Sequence, residues 1–224
     1  IIAMKKIFGF IIFLILLIVN VNGQKSLNSF YISNQAPLLE QSYSALPLGT
    51  IKPKGMLLKM LEIQRDGLTG VLDSLYSVVC GSNNGWLGGT GDGWERGPYW
   101  LDGLVPLSYI LDDKELQKKA QKWIEWSINN QREDGYFGPI PLEEGFERIP
   151  GTQQTNREDW WPRMVMLKVL QQYYTATQDE RVINLMTKYF SYQLKMLPEN
   201  QLGKWSYWAN RRGGDNLAIV YWLY

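Results

Sequence analysis

The sequence predicts an all-α fold of the α/α-toroid type, with only the first part of the ring present in these 224 residues. Three observations carry this prediction. Helices apolar on nearly every side alternate with helices that have one wet face, and a helix apolar all round is buried all round. The alternation recurs after 66 residues, a shift that lays Asp113 on Asp179, Leu116 on Val182, Ala120 on Met186, Trp123 on Tyr189 and Ile128 on Leu194. Hairpins of ~60 residues repeating in this way share one continuous core, and inner helices this apolar favour a closed ring over an open solenoid. Finally, the segments entering successive inner helices (Asp92 to Asp102, Glu158 to Trp161, Asp215-Asn216) each carry an acid, and the first two also carry tryptophan.

Taken in order, Lys5 and Lys6 precede an unbroken apolar run from Ile7 to Val19, and polar Asn20, Asn22 and Gln24 follow around Val21 and Gly23. A positive start, an apolar run and small residues before a cut are the pattern of a secretory signal. Residues 1–23 are therefore expected to be an export signal beginning at Met4 and cleaved near Gly23. The run is shorter than the ~20 residues a spanning helix needs, and no cysteine follows it for lipid attachment. A secreted or periplasmic product without a stable membrane anchor is the expectation.

Residues 24–54 read as an extended segment punctuated by Pro37, Pro47 and Pro53. Residues 55–224 read as the partial barrel. Its first helix spans Gly55 to Gln64 on Met56, Leu57, Met60, Leu61 and Ile63, and a second spans Gly67 to Val79 on Leu68, Val71, Leu72, Leu75 and Tyr76, with a break at Asp66-Gly67. Pro98 suits the first turn of the next helix, where its missing N–H costs nothing, and Leu101, Leu104, Val105, Leu107, Tyr109, Ile110 and Leu111 then surround that helix. The helix from Asp113 to Gln131 differs: Leu116, Ala120, Trp123, Ile124 and Ile128 oppose Lys118, Lys122 and Glu125. The pair repeats as an inner helix from Trp160 (Met164, Val165, Leu167, Val169, Leu170, Tyr174) and an outer stripe of Val182, Leu185, Met186, Tyr189, Phe190 and Leu194. A third inner helix follows Gly213-Gly214-Asp215-Asn216 into Leu217 to Tyr224. Asp112-Asp113 and Asp179-Glu180 read as caps of the outer helices.

The stretch from Gly85 to Gly103 organises the functional reading. Five glycines lie between Gly85 and Gly93, and Trp86, Trp94 and Trp100 sit among Asp92, Glu95, Arg96 and Asp102. Flat aromatic faces stack on the C–H surfaces of sugars, while carboxylates and guanidinium hold hydroxyls. The competing reading is a glycine-rich loop that caps a helix, with its tryptophans in the core. No Gly-Lys-Ser/Thr follows the glycines and no apolar strand precedes them, which excludes a nucleotide loop.

Composition narrows the chemistry. Net charge is +1, so no basic excess is available for phosphate contacts and nucleic acid is excluded as a partner class. The chain has no histidine and one cysteine, Cys80, which removes His-based triads, His zinc sites and disulfide frameworks. Cys80 reads as a small buried hydrophobe. Any acid–base work falls to carboxylates, tyrosine or lysine. The expected substrate-binding rim comprises Asp92, Trp94, Glu95, Arg96, Asp102, Glu158, Asp159, Trp160, Trp161, Asp215 and Asn216, and Glu95, Asp102 and Glu158 are the candidates for catalysis. Glycoside hydrolysis needs two carboxyl groups about 5 Å apart for retention or ~6.5–9.5 Å for inversion. Helix capping is the competing role for Asp102 and Glu158-Asp159.

The blocks GGTGDGWERGPYWLDGLVPLSYILDD, WIEWSINNQREDGYFGP, REDWWPRMVMLKVLQQYYTATQDERV and RRGGDNLAIVYWLY resemble the family 127 glycoside hydrolases, the β-L-arabinofuranosidase-like proteins. The resemblance covers Gly85 to Tyr224. It implies an (α/α)6 barrel followed by β-sandwich domains, exported by bacteria that degrade plant glycans, and a chain that holds the first part of that barrel. On this reading the isolated 224 residues are inactive. The family's zinc-bound cysteine nucleophile and glutamate acid/base come from segments late in the barrel. No residue here matches them, so zinc is implied for the full-length protein and no metal ligand for this stretch. The leading function is hydrolysis of plant-type polysaccharide or oligosaccharide side chains. A polysaccharide lyase or unsaturated-uronyl hydrolase on the same fold is an alternative, since fold does not fix chemistry, and a non-catalytic glycan-binding toroid is another.

Overall fold

The computed structural model describes residues 34–154 and 157–224. The export signal expected over 1–23 and the start of the extended segment lie outside the described residues. The described backbone divides into two units between Pro47 and Leu48. In the first, residues 34–47 form turns and bends without helix or strand, and the Asn34 side chain donates to the Leu39 carbonyl (2.7 Å) while accepting from Gln41 (3.0 Å).

The second unit is helical, with no strand among the described residues. Helix α1 spans Gly55–Asp66 and α2 spans Leu68–Leu75. They are parted at Gly67, where an added Cβ would lie 2.7 Å from the Ile63 carbonyl oxygen. Next come α3 (Ser77–Cys80), a 3₁₀ turn at Gly85–Leu87, α4 (Arg96–Ile110), α5 (Lys114–Asn129), α6 (Trp160–Thr177), α7 (Glu180–Met196), α8 (Tyr207–Arg211) and α9 (Gly213–Leu223). None of these helices is long and apolar enough to cross a membrane.

Side chains fix the helix ends as the sequence predicts. Asp113 accepts the Glu115 and Leu116 N–H groups at 3.0 and 3.1 Å, and Asp179 accepts that of Arg181 at 3.1 Å. Each satisfies donors that the first turn leaves free. At the other end of α4, the Lys52 ammonium donates to the Tyr109 and Ile110 carbonyls (2.9 and 3.1 Å), placing a cation at the negative end of the helix.

α4 and α6 pack side by side, α9 packs on α6, and the amphipathic α5 and α7 cover this inner row. Leu101, Leu104 and Val105 of α4 and Leu167, Val169 and Leu170 of α6 have no exposed surface. Burying each stabilises the fold by roughly 1.5–3 kcal/mol. Two details depart from the sequence pattern. The inner helices are not buried all round: Tyr99, Gly103 and Lys168 are exposed, with Asp102, Pro106 and Gln172 partly so. These positions form one stripe on α4 and one on α6. The outer stripe on α7 continues from Tyr189 to Gln193, which is buried, rather than to Leu194, which is 75 % exposed, because a 3.6-residue period returns to 193.

The connection between α5 and α6 also builds core. Gly135 takes φ 101°, and an added Cβ there would sit 2.3 Å from the Lys188 carbonyl oxygen, so only glycine fits. This turn delivers Tyr136 and Phe137 into the interior, where the Phe137 ring meets Tyr189 edge-on at 4.9 Å. Arg163, the fourth residue of α6, is fully buried beneath them. It donates to the carbonyls of Phe137 (3.1 Å), Asp159 (2.8 Å) and Pro139 (3.0 Å) and to the Tyr136 hydroxyl.

Candidate functional site

The glycine-rich stretch is a packed crossing. Gly85 donates to the Asp92 carbonyl (2.7 Å) and Gly93 to the Gln153 carbonyl (2.8 Å). A Cβ on Gly85 would lie 3.0 Å from the Gly93 Cα and 3.1 Å from the Pro139 Cβ. The glycines thus let two passes of backbone touch. Trp86 is buried under them with its indole N–H on the Trp94 carbonyl (2.9 Å), and Trp100 is buried with its own on Thr69 (2.9 Å). Both are core. Asp92, also buried, accepts the Arg96 Nε–H (3.0 Å) and the Gln153 N–H (2.8 Å) through one oxygen, and Arg96 further donates to the Tyr76 hydroxyl (3.2 Å) and the Gly151 carbonyl (2.8 Å). Asp92 and Arg96 are spent on fastening the loop to α4 and the 150s segment.

Beyond that anchor the chain presents Trp94 and Glu95 to the start of α6. The Trp94 indole donates to Asp159 Oδ2 at 3.0 Å, and the Trp161 indole donates to Glu95 Oε2. Two tryptophan–carboxylate bonds therefore cross between the N-terminal ends of neighbouring inner helices. Asp159 is the N-cap of α6, accepting the Trp161 N–H at 3.1 Å. Burial pushes its carboxyl above the ordinary range, opposed by the bonds from Trp161, Trp94 and Ser206. Its oxygens are occupied within the protein, whereas Glu95 is half-buried and reachable.

α9 completes the cluster. Arg212, just ahead of it, lies over the Trp161 ring at 5.4 Å, approaches Asp215 at 3.9 Å and is near enough to the Tyr99 phenol for its charge to be felt there. The Tyr99 ring meets Trp161 at 6.1 Å. Its phenol is raised above its usual range, mainly by burial, with Glu95 and Asp215 adding to the shift. Glu95, Trp161 and Asp215, far apart in sequence, thus share one end of the inner row.

Other rim candidates go elsewhere. Trp160 is core, donating to the Asn200 carbonyl at 2.8 Å. Glu158 accepts from Arg132 at 2.6 Å and from the Tyr192 hydroxyl, so its carboxylate is tied to the 130s turn and α7. Asn216 exchanges amide bonds with Gln193 of α7 (2.8 and 3.3 Å). Asp102 lies in the second turn of α4, not the first, because the helix starts at Arg96; it accepts from Lys168 (2.9 Å) and Gln172 (2.8 Å) of α6. Sequence reasoning missed Tyr99 and Arg212. The available signal was spacing, since Tyr99 follows Glu95 by four residues and therefore shares its helix face.

The sequence has a single cysteine, Cys80, and no histidine. Among the described residues no three His, Cys, Asp or Glu side chains gather to hold a metal. Cys80 is 3 % exposed, and burial, reinforced by Asp92, pushes its thiol up to about 12. A thiol in that range is neither ligand nor nucleophile near neutrality. Native protein treated with a thiol-reactive disulfide reagent at pH 7.5 should leave Cys80 unmodified over a period in which denatured protein reacts completely. Rapid stoichiometric labelling of native protein would contradict this assignment.

Comparison with known proteins adds one match: the model of the family described as Beta-L-arabinofuranosidase, GH127 catalytic domain, covers residues 55–224. No curated protein and no solved structure matches the chain.

Proposed function

The chain belongs to the GH127 β-L-arabinofuranosidase catalytic-domain family, and from that premise we propose that it forms the first part of a closed α/α ring whose helix-start end holds a glycan. The enzyme so built is exported and hydrolyses β-L-arabinofuranosyl side chains of plant-type polysaccharides or oligosaccharides. The observation that supports this reading is the pair of crossed bonds, Trp94 to Asp159 and Trp161 to Glu95. Nothing local brings residues 65 positions apart together in this way; the packing of α4 on α6 does.

In this reading the roles divide by accessibility. Asp159 is a buried anchor that sets the Trp94 ring and starts α6. Glu95 is held by one oxygen and faces the open end, where it orients or protonates a sugar oxygen. Asp215 and Arg212 supply further polar contacts from α9. The family assignment makes a hydrolase of the chain, and the arabinofuranosyl substrate is tested directly. The intact protein should release 4-nitrophenol from 4-nitrophenyl β-L-arabinofuranoside. Failure to cleave this or any of a panel of nitrophenyl glycosides, with sugar binding retained, would favour a glycan-binding toroid.

A further inference from the structure

We propose that the aromatic and basic surface built by residues 204–211 binds an acidic polysaccharide, a chain of uronate rings, and holds the enzyme to that polymer. The inference rests on the reading of the chain as a glycoside hydrolase and adds to it the class of polymer on which that hydrolase works.

Local structure turns these side chains outward. Ser206 is buried and accepts the Trp208 N–H at 3.2 Å, which starts α8. Ala209 has no exposed surface, so the short helix faces inward there. That leaves Tyr207, 62 % exposed, and Trp208, 48 % exposed, on the outside together with Arg211. Arg211 follows Tyr207 by four residues and shares its helix face, and its guanidinium lies over the Tyr207 ring at 4.9 Å. The Trp208 ring meets Tyr207 edge-on at 5.6 Å. Just ahead of the helix, the Lys204 ammonium lies 4.7 Å from the centre of the Trp205 ring, and the Arg157 guanidinium reaches the same ring at 5.3 Å. A single exposed aromatic residue needs no explanation, whereas adjacent ones framed by cations mark an interaction surface.

Charge sets the sign of the partner. Neither Lys204 nor Arg211 pairs with a carboxylate among the described residues, and Arg212, which borders the surface, has Asp215 at 3.9 Å. Arg65, Arg96, Arg132 and Arg181, by contrast, each pair closely with an acid. The Lys204 ammonium donates to two neutral acceptors, the Glu199 carbonyl (3.0 Å) and the Asn200 side-chain oxygen (2.7 Å). Its charge is therefore not cancelled, and one of its three N–H groups is left over. Net charge over the whole chain is +1, so the attraction for an anion is local to this surface and not a property of the protein at large.

The pairing of cation with aromatic face then selects the chemistry. A guanidinium lying over a ring keeps its N–H groups in its own plane, where they can still meet a carboxylate as a pair. The exposed indole beside it offers a platform for the C–H surface of a sugar. A uronate ring has both a flat apolar face and a carboxylate, and a polymer of such rings repeats the combination along the surface. A lipid phosphate has the charge without the face, and a neutral glycan has the face without the charge. Single-stranded nucleic acid also joins anion to flat ring, but the assignment to a family of glycoside hydrolases favours the polysaccharide.

The test titrates the intact protein calorimetrically with polygalacturonate, with its fully methyl-esterified form, which keeps the rings and removes the charge, and with an oligothymidylate. Wild type should bind polygalacturonate at least about tenfold more tightly than either of the others, and that affinity should fall about tenfold between about 0.05 and about 0.5 M NaCl, because exposed charges are screened. Lys204→Gln combined with Arg211→Gln should weaken polygalacturonate binding about tenfold or more, and Trp208→Ala about fivefold or more, with melting temperatures within a few degrees of wild type. Polygalacturonate and its ester bound alike, oligothymidylate bound as tightly as polygalacturonate, or a normally melting double variant that binds like wild type would each overturn the surface. Polygalacturonate binding in a protein that cleaves no glycoside would uphold the surface and overturn the hydrolase reading. Cleavage of 4-nitrophenyl β-L-arabinofuranoside without polygalacturonate binding would do the reverse.

Discussion

Replacing Arg163 by methionine is expected to destabilise the intact protein by about 4 kcal/mol, lowering its melting temperature by roughly 10 °C. Arg163 has no exposed surface. A buried charge is normally paired with an opposite charge, yet the acceptors around this guanidinium are three backbone carbonyls and the Tyr136 hydroxyl. The faces of Tyr136 (4.5 Å) and Trp86 (5.8 Å) complete its surroundings. Burial lowers its pKa to about 10, which still leaves it charged at neutral pH. Methionine fills much the same volume, so the loss is not chiefly a cavity. It comes from the Phe137 carbonyl left buried without a donor, costing ~1–3 kcal/mol, from the guanidinium bonds lost at the Asp159 and Pro139 carbonyls, and from the lost attraction of two aromatic rings. Through the Asp159 carbonyl the same residue holds the N-cap of α6, so loosening it also loosens the partner of Trp94. Arg181→Met is the control. Arg181 bridges Glu125 and Asp179 at 2.7 and 2.6 Å but is 47 % exposed, and exposed pairs contribute at most about 1 kcal/mol. Equal melting shifts for the two variants would show that Arg163 does not carry this corner of the fold.

Arg163 also marks where sequence reading runs out. The alternation of apolar and amphipathic helices, the break at Gly67 and the caps at Asp113 and Asp179 follow from local chemistry, and the structure has them. Periodicity, however, assigns a charged residue to a wet face, and Arg163 is buried because the Tyr136–Pro139 turn wraps over it from another part of the chain. The glycine-rich stretch misleads in a related way. Glycines that let a backbone approach a ligand are indistinguishable in sequence from glycines that let two backbones touch, and Gly85 and Gly93 do the latter. Tyr99 was hidden by its apolar neighbours, although α4 keeps one open stripe. The acids were legible as a set but not in their partners. Asp92 with Arg96, Glu158 with Arg132 and Asp102 with Lys168 are settled by tertiary geometry, and that geometry separates Glu95 from the others.

Glu95→Gln is expected to lower kcat/KM tenfold or more, about 1.4 kcal/mol of transition-state stabilisation, with a melting temperature within a few degrees of wild type. The amide carbonyl of glutamine can still accept the Trp161 indole N–H, so the crossed contact between α4 and α6 survives while the charge and the proton-carrying group are lost. Capping does not predict this outcome. Glu95 occupies the N-cap position of α4, yet its side chain makes no capping hydrogen bond there, and what remains is a charge–dipole contribution of ~0.3–1 kcal/mol to stability. Glu158→Gln supplies the contrast. Its carboxylate is already engaged by Arg132 and Tyr192, so that substitution should cost up to about 1 kcal/mol of stability and leave the kinetics unchanged. Measured together, the two variants divide the acids of this rim into one that faces substrate and one that braces the fold. A Glu95→Gln protein that melts earlier but turns over normally would return Glu95 to a structural role, and a kinetic loss confined to Glu158→Gln would move the acid to the other side of α6.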